Sequence, residues 1–334
     1  MAGILTQQFL GYKEAVIMLR EKSVLSGLFG LAVGDALGVP VEFMSREMLD
    51  KSPVRKMLGY GSHNQPKGTW SDDTSMVLAT MDAMCANIFS VGMCMDCFSK
   101  WLRQGIYTVD GTVFDVGGTT SQAIYRYIAG ERLEDCGSVD ERSNGNGSLM
   151  RMLPMIYYIM GKYGEAVNDR AVNEIYALSG LTHNHIISKV CCVYYVYIGI
   201  RIINQRHRRL PVEIANIIED IDMYYEGSNP LPQIIGFDSL SESMDLQRNG
   251  IRSTGFVVDS LEASVWCLYN TESYREAVEL AVNLGGDTDT IGAITGSLAG
   301  LYYGYEGIPA EWIEDLRGKE QLMAVAEKFY NRYR

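Results

Sequence analysis

The sequence predicts an all-α protein. Apolar residues recur at helical spacing through most of the chain, short breaks bearing Gly or Pro separate the runs, and no stretch alternates as a half-buried strand would. Two of the expected helices carry glycines four residues apart, and two helix starts carry adjacent carboxylates and hydroxyls. There is no internal repeat and no low-complexity segment, so residues 1–334 are expected to form one domain.

Residues 1–20 are expected to form a first helix, with Ile4, Phe9, Leu10, Val16 and Leu19 as its apolar positions. The next run, 23–43, contains Gly27, Gly30, Gly34 and Gly38. Each glycine inside a helix costs roughly 1 kcal/mol relative to alanine, so a stripe of them marks a face that another helix approaches closely. The matching stripe is Gly292, Gly296, Gly300 and Gly304 in the run after residue 290, and the two helices are expected to pack together. That crossing would carry Asp35 and Glu42 toward the second helix. Asp35 reads equally well as a buried structural carboxylate; Glu42, after Pro40 in a loop, reads by default as a surface one.

Pro53, Gly59, Gly61, Pro66 and Gly68 make 44–70 loop-rich, with His63 expected to face solvent without a partner. Two helices occupy 71–105, the first opened by Ser71-Asp72-Asp73-Thr74, and Trp101 reads as core. Asp115 precedes Gly117-Gly118 as a turn residue or a carboxylate delivered into a cleft, and Thr119 or Thr120 is a candidate cap for a helix over 121–129. The segment Ser143-Asn144-Gly145-Asn146-Gly147, before an expected helix start at Ser148, offers backbone N–H groups suited to phosphates or hydroxyls, although an ordinary loop has the same composition. Helices follow over 149–160, 165–180 and 186–204. Between the last two lie His183 and His185, where a cap or a substrate hydrogen bond suits His183 better than a metal. The apolar run 190–200 is too short to span a bilayer. His207 sits among arginines in a solvated basic patch. Helix 211–225 precedes a loop over 226–250, a lid or an excursion, and helices 257–269 and 273–283 lead to the central stretch. Two short helices over 309–333 close the chain.

That central stretch is Gly285-Gly286-Asp287-Thr288-Asp289-Thr290. Acidic residues at a helix start are favoured by the helix dipole, and hydroxyls there cap free N–H groups. Capping alone does not need the same chemistry twice. Together with Ser71-Asp72-Asp73-Thr74 it offers an oxygen-only site for one or two hard cations of the magnesium or manganese type.

A net charge of −12 argues against a nucleic-acid partner, which would call for a basic face. An acidic protein can still take an anionic small molecule where cations invert the local field. Seven cysteines, an odd number without framework spacing, read as free thiols in a reducing cytoplasm. No leader-like segment opens the chain, no membrane partner is expected, and a monomer is expected.

The stretches GLAVGDALGVPVEF, GTWSDDTSMVLAT, FDVGGTT, SNGNGSLMRMLP, THNH, STGFVVDSLEASVW and NLGGDTDTIGAITGSLAG occur in an order that resembles the ADP-ribosylglycohydrolase family over about residues 23–304. The resemblance implies a compact, orthogonal all-α fold with two magnesium or manganese ions in a central cleft. It implies that Ser71, Asp72 and Asp73 bind one ion, with Ser71 where the family usually has Thr, and that Asp287 and Thr290 bind the other with Asp289 bridging. Glu42 takes a role in catalysis and second-metal binding, and Asp115 matches a carboxylate of arginine-directed members. Asp72, Ser143, Asn144, Gly145, Asn146, Gly147 and His183 fall where the family holds ADP-ribose. The implied partner is an ADP-ribosylated protein or another ADP-ribose conjugate, with arginine linkage favoured over serine. The competing readings are a non-catalytic ADP-ribose binder and a two-metal hydrolase of another nucleotide conjugate.

Overall fold

The two glycine-striped helices cross in backbone contact. Helix α1 (22–38) and helix α14 (Thr288–Tyr303) run antiparallel, with 26 opposite 300, 30 opposite 296 and 34 opposite 292. A Cβ on Gly30 would stand 2.2 Å from the Gly296 carbonyl oxygen, on Gly34 2.0 Å from that of Gly292, and on Gly300 2.1 Å from that of Ser26. No side chain fits between the helices. The antiparallel sense sets the end of α1 against the start of α14, where the Thr288 hydroxyl donates to the Gly38 carbonyl at 2.9 Å.

The structure is a computed structural model and describes residues 22–205, 209–228 and 240–333. The helix expected over 1–20, the basic patch at His207 and residues 229–239 of the long loop lie outside the described residues. After α1 come α2 (Arg46–Lys51), α3 (Asp72–Met84), α4 (Gly92–Gln104), α5 (Gly118–Ile128), α6 (Leu133–Cys136), α7 (Leu153–Tyr163) and α8 (Asp169–Gly180). Then follow α9 (Ile186–Asn204), α10 (Leu210–Ser228), α11 (Leu240–Ser243), α12 (Val257–Tyr269) and α13 (Tyr274–Val282), with α15 (Ala310–Asp315) and α16 (Lys319–Tyr333) after α14. Among the described residues there is no β-strand, only the isolated bridges 60 to 65, 138 to 183 and 145 to 256. The all-α expectation holds.

Helix α14 is the hub. It is buried from Thr288 to Leu301 and packs on α9, α12 and α13 as well as α1. The Tyr274 hydroxyl of α13 reaches across to donate to the Gly30 carbonyl at 2.7 Å. The run 190–200 belongs to the longer α9, which, like segment 22–41, is long and apolar enough to cross a membrane; the apolar windows are 72% and 94% buried inside the protein. All seven cysteines are free and all but Cys85 are buried, Cys94 and Cys97 included.

Several boundaries differ from expectation. Helix α7 begins at Leu153, not 149, because residues 146–148 form a 3-10 turn and Pro154 sits in the first helical turn, where its missing N–H costs nothing. Helix α5 begins at Gly118, with Gly117 at the cap, so neither Thr119 nor Thr120 caps it. Helix α16, at 15 residues, is longer than expected.

The crossing makes a direct prediction. Gly34→Ala is expected to cost about 3 kcal/mol or more in urea unfolding, because its Cβ meets backbone that cannot swing aside. Gly161→Ala in α7, where a Cβ meets nothing within 4 Å, is expected to stabilise by up to about 1 kcal/mol.

Candidate active site

Helices α3 and α14 start side by side, and one carboxylate joins them. Asp73 Oδ2 accepts from the Ser71 hydroxyl at 3.0 Å and from the Thr290 hydroxyl, 217 residues away, at 3.2 Å. Ser71 also caps α3, its Oγ accepting from the Asp73 N–H at 3.3 Å. Asp35, delivered by α1, accepts from the N–H groups of Ser71 and Thr74 at 2.9 and 3.0 Å and from the Thr74 hydroxyl at 2.6 Å. Its carboxylate is thus committed to fastening α1 onto the start of α3, which settles its reading as structural.

Gly286 supplies the turn before α14. Its φ is +75°, and a Cβ there would stand 2.1 Å from the Ser253 carbonyl oxygen. Its carbonyl accepts from the Phe43 N–H at 2.7 Å and its N–H donates to the Met44 carbonyl at 2.9 Å, which locks the segment carrying Glu42 against the one carrying Asp287. Asp287 Oδ2 accepts from the Asn146 amide at 2.8 Å, and Asp289 Oδ1 from the Thr290 N–H at 2.9 Å.

What these carboxylates lack is more telling. Asp73 Oδ1, Asp287 Oδ1 and Asp289 Oδ2 are buried and meet no hydrogen-bond donor. Buried polar oxygens are normally paired, and a half-satisfied charged group in a low-dielectric interior is costly. Burial pushes the carboxyls of Asp72, Asp73 and Asp289 well above the ordinary range, and their negative neighbours push them further; burial also raises Asp287, against the lowering effect of its Asn146 bond. Oxygen donors with open lone pairs and a surplus of negative charge fit hard divalent cations.

Glu42 and His63 depart most from the sequence reading. Neither faces solvent: the side chains are 6% and 13% exposed. A tight loop brings the histidine in. Tyr60, Gly61 and Asn64 all have positive φ, and residues 60 and 65 bridge. The Ser62 hydroxyl then donates to the Glu42 carbonyl at 2.5 Å. A hydrogen bond joins His63 Nε2 to the Glu42 carboxylate, and the same nitrogen lies 3.8 Å from Asp115 Oδ1. Phe43 and Phe114 flank the ring, with centroids at 5.9 and 5.3 Å. Asp115 itself has φ of +54° and is half-buried, a turn residue and a cleft carboxylate at once. One ligand atom each from Glu42, His63, Asp115 and Asp289 lie within 4.8 Å of one another, so a nitrogen donor joins what the sequence presented as an oxygen-only set. Burial raises the Glu42 carboxyl to about 7, held down in part by the His63 bond and raised further by Asp115 and Asp287. The bond to Glu42 raises His63 in turn.

A cleft of about 280 Å³ is lined by Glu42, Asp72, Asp115, Asp287 and Thr290 together with Gly145, Asn146, Gly147 and His183; Ser71, Asp73 and Asp289 are buried beside these residues and are not part of the lining. Ser143 and Asn144 are not among the lining residues. The Asn144 side chain is taken up by His185, Ser188 and the Glu141 carbonyl, and the Ser143 hydroxyl accepts from Ser138. Phe43, Thr120, Met150 and Gly255 do line it; each lies inside one of the quoted stretches, but none reads as a site residue in the sequence. Gly147 is small for a reason: a Cβ would stand 2.7 Å from Thr120 Oγ1 and 3.0 Å from His183 Cε1. Arg151, the cation inside the SNGNGSLMRMLP stretch, is wholly buried and points away from the cleft, donating to the Gly147 and Leu178 carbonyls at 2.7 and 3.1 Å.

The chain is similar to known proteins over most of its length. The family model for ADP-ribosylglycohydrolase matches residues 18–334. An ADP-ribosylarginine hydrolase, Tri1, of Pseudomonas putida (strain GB-1) is 31% identical over 310 residues, covering 91% of this chain and 77% of that protein. The ADP-ribosyl-[dinitrogen reductase] glycohydrolase of Rhodospirillum rubrum is 29% identical over 297 residues, covering 87% and 89%. A solved structure of an ADP-ribosylglycohydrolase-related protein complex superposes with a TM-score of 0.75 at 27% identity, covering 94% of this chain and 99% of that one.

Proposed function

The chain belongs to the ADP-ribosylglycohydrolase family, and from that premise we propose that it is a cation-dependent hydrolase that frees ADP-ribose from modified protein side chains, arginine first, by breaking the bond at C1 of the distal ribose. The observation that carries the cation dependence is the three buried carboxylate oxygens left without donors, on Asp73, Asp289 and the cleft-lining Asp287. The lean to arginine rests on Asp115 at the cleft edge, whose carboxylate suits a guanidinium, and on the similarity to an ADP-ribosylarginine hydrolase.

Asp72, Asp73, Asp287 and Asp289, with the hydroxyls of Ser71 and Thr290 and the carboxylate of Glu42, would hold two magnesium or manganese ions. Such ions, when bound, orient ribose hydroxyls and supply a nucleophilic water at neutral pH. The chain's own groups do the rest. Glycoside cleavage passes through an oxocarbenium-like state at C1, which negative charge beneath the sugar stabilises. Glu42, which lines the cleft with its carboxylate bonded to His63, is placed to take a proton from water and return it to the leaving group. Asp115, with a carboxylate oxygen within 4.8 Å of a Glu42 carboxylate oxygen, is the second candidate for that proton. Gly145, Asn146 and Gly147 leave room for the substrate to lie against backbone.

The test is release of intact ADP-ribose from arginine-linked and serine-linked ADP-ribosyl peptides, with magnesium, with manganese and with EDTA. Release from the arginine peptide, lost in EDTA, is the expected result. Phosphate in place of ADP-ribose would favour a nucleotide phosphohydrolase, and tight ADP-ribose binding without release from either peptide would favour a binder.

His63 gives a pH prediction. Its bond holds the Glu42 carboxyl down, so His63→Ala is expected to shift the rate limb set by Glu42 to higher pH. An unmoved limb would separate Glu42 from that step.

A further inference from the structure

We propose that Arg151 and Thr182 fix His183 in the tautomer protonated at Nε2, a neutral donor aimed into the cleft that takes an acceptor oxygen of ADP-ribose. The ligand in that statement rests on the function proposed above; the tautomer does not.

The argument is one of counting protons. Thr182 is fully buried, and its Oγ1 has two partners, Arg151 Nη2 at 2.8 Å and His183 Nδ1 at 2.8 Å. A guanidinium can only donate, so Thr182 accepts from Arg151. The threonine hydroxyl keeps one proton to place in a water-free interior, and His183 Nδ1 is the acceptor within reach. With Nδ1 accepting, the single proton of a neutral imidazole sits on Nε2.

Neutrality follows from the same neighbours. Burial disfavours the imidazolium, the Arg151 charge adds to this, and together they push His183 down to about 3. The ring is held by its burial and by the Nδ1 bond to Thr182, and its peptide is pinned on both sides. The His183 N–H donates to the Ser179 carbonyl at 3.0 Å, its carbonyl accepts from the Ser179 hydroxyl at 3.1 Å, and the next N–H donates to the Ser138 carbonyl at 2.7 Å.

Nε2 looks toward Gly145 and Gly147, 3.6 and 3.5 Å from where their Cβ atoms would stand. Their missing side chains leave the N–H open to the cleft. Arg151 also donates to the Gly147 carbonyl at 2.7 Å, so one buried cation sets both the glycine wall and the proton position beside it. A fixed neutral donor selects for oxygen with free lone pairs, such as a phosphate or ribose oxygen, and against a ligand that presents its own N–H.

Nitrogen-15 NMR of the imidazoles in the full-length protein, from about pH 5 to pH 8, tests this where an ordinary histidine would titrate. The expected His183 spectrum has a pyrrole-type Nε2 and a pyridine-type Nδ1 throughout; a pyrrole-type Nδ1 or an imidazolium would overturn the proposal. Thr182→Val, which keeps the shape and removes the hydroxyl, is expected to mix the tautomers and weaken ADP-ribose binding about tenfold by calorimetry. Thr182→Ser is expected to restore both readings. A Thr182→Val spectrum identical to wild type would show that the hydroxyl does not set the proton. If the wild-type spectrum is as expected and ADP-ribose does not bind, the fixed donor stands and the ADP-ribose reading fails.

Discussion

Asp289→Asn is expected to lower kcat/KM for ADP-ribose release by about a thousandfold or more while making the chelated protein more stable at pH 8. The substitution keeps the shape and the acceptor for the Thr290 N–H, and it removes one charge from the centre of the cluster. Asp289 is fully buried, has one oxygen with no donor, and has a ligand atom within 4.8 Å of those of Glu42, His63 and Asp115. Cation stabilisation of developing charge is worth several kcal/mol, and each ~1.4 kcal/mol is tenfold in rate. The stability change has the opposite sign because, without a cation, a buried charge beside other carboxylates is a net cost. A variant that is inactive and also less stable would mean the carboxylate serves the fold. A variant with near-normal turnover would remove Asp289 from the reaction.

A second large effect is expected in the dependence of stability on pH and cation. In EDTA, the melting temperature is expected to rise as the pH is lowered from 8 to 6. Burial raises Asp72, Asp73, Asp287 and Asp289 above their ordinary values, Asp35 to about 6 and Glu42 to about 7. In the unfolded chain the same groups titrate near 4. The folded state therefore binds more protons than the unfolded one, and stability increases as pH falls through the raised values, until the unfolded chain protonates too. Saturating magnesium or manganese reverses the trend, because a cation needs the carboxylates deprotonated. At about a hundred times its Kd, a cation adds ~2.7 kcal/mol, roughly 5 °C for a chain of this size, with the larger gain at pH 8. Scanning calorimetry across the two pH values, with and without cation, reads this directly. A melting temperature that falls with pH in EDTA would contradict the raised carboxyls.

The parts of this protein legible in its sequence are those encoded by short-range spacing. Glycines four apart in two helices can only serve a close approach, and the crossing of α1 and α14 follows from them. Paired aspartates with hydroxyls at two helix starts announce a site because capping needs so few of them. His63 was not legible: a loop was evident around it, but its position depends on left-handed backbone at Tyr60, a residue that announces no turn, and on a partner 21 residues upstream. The inward place of Arg151 had no signal in the sequence either: its Nη groups donate to the Gly147 and Leu178 carbonyls and to Thr182, the last two 27 and 31 residues away. The start of α7 had a signal in Pro154, which belongs in a first turn.

The antiparallel contact between α1 and α14 also carries a consequence for biosynthesis. Gly38 and Thr288, which meet at the site, are 250 residues apart. At ribosomal rates of about 5–20 residues per second, roughly 12 to 50 s separate the emergence of the two halves. Until then the nascent chain exposes a bare glycine face on α1 and an aspartate pair on α3 with no opposing half. The two halves of the site therefore meet only after α14 has emerged, and a chain broken off before α14 would lack Asp287, Asp289 and Thr290.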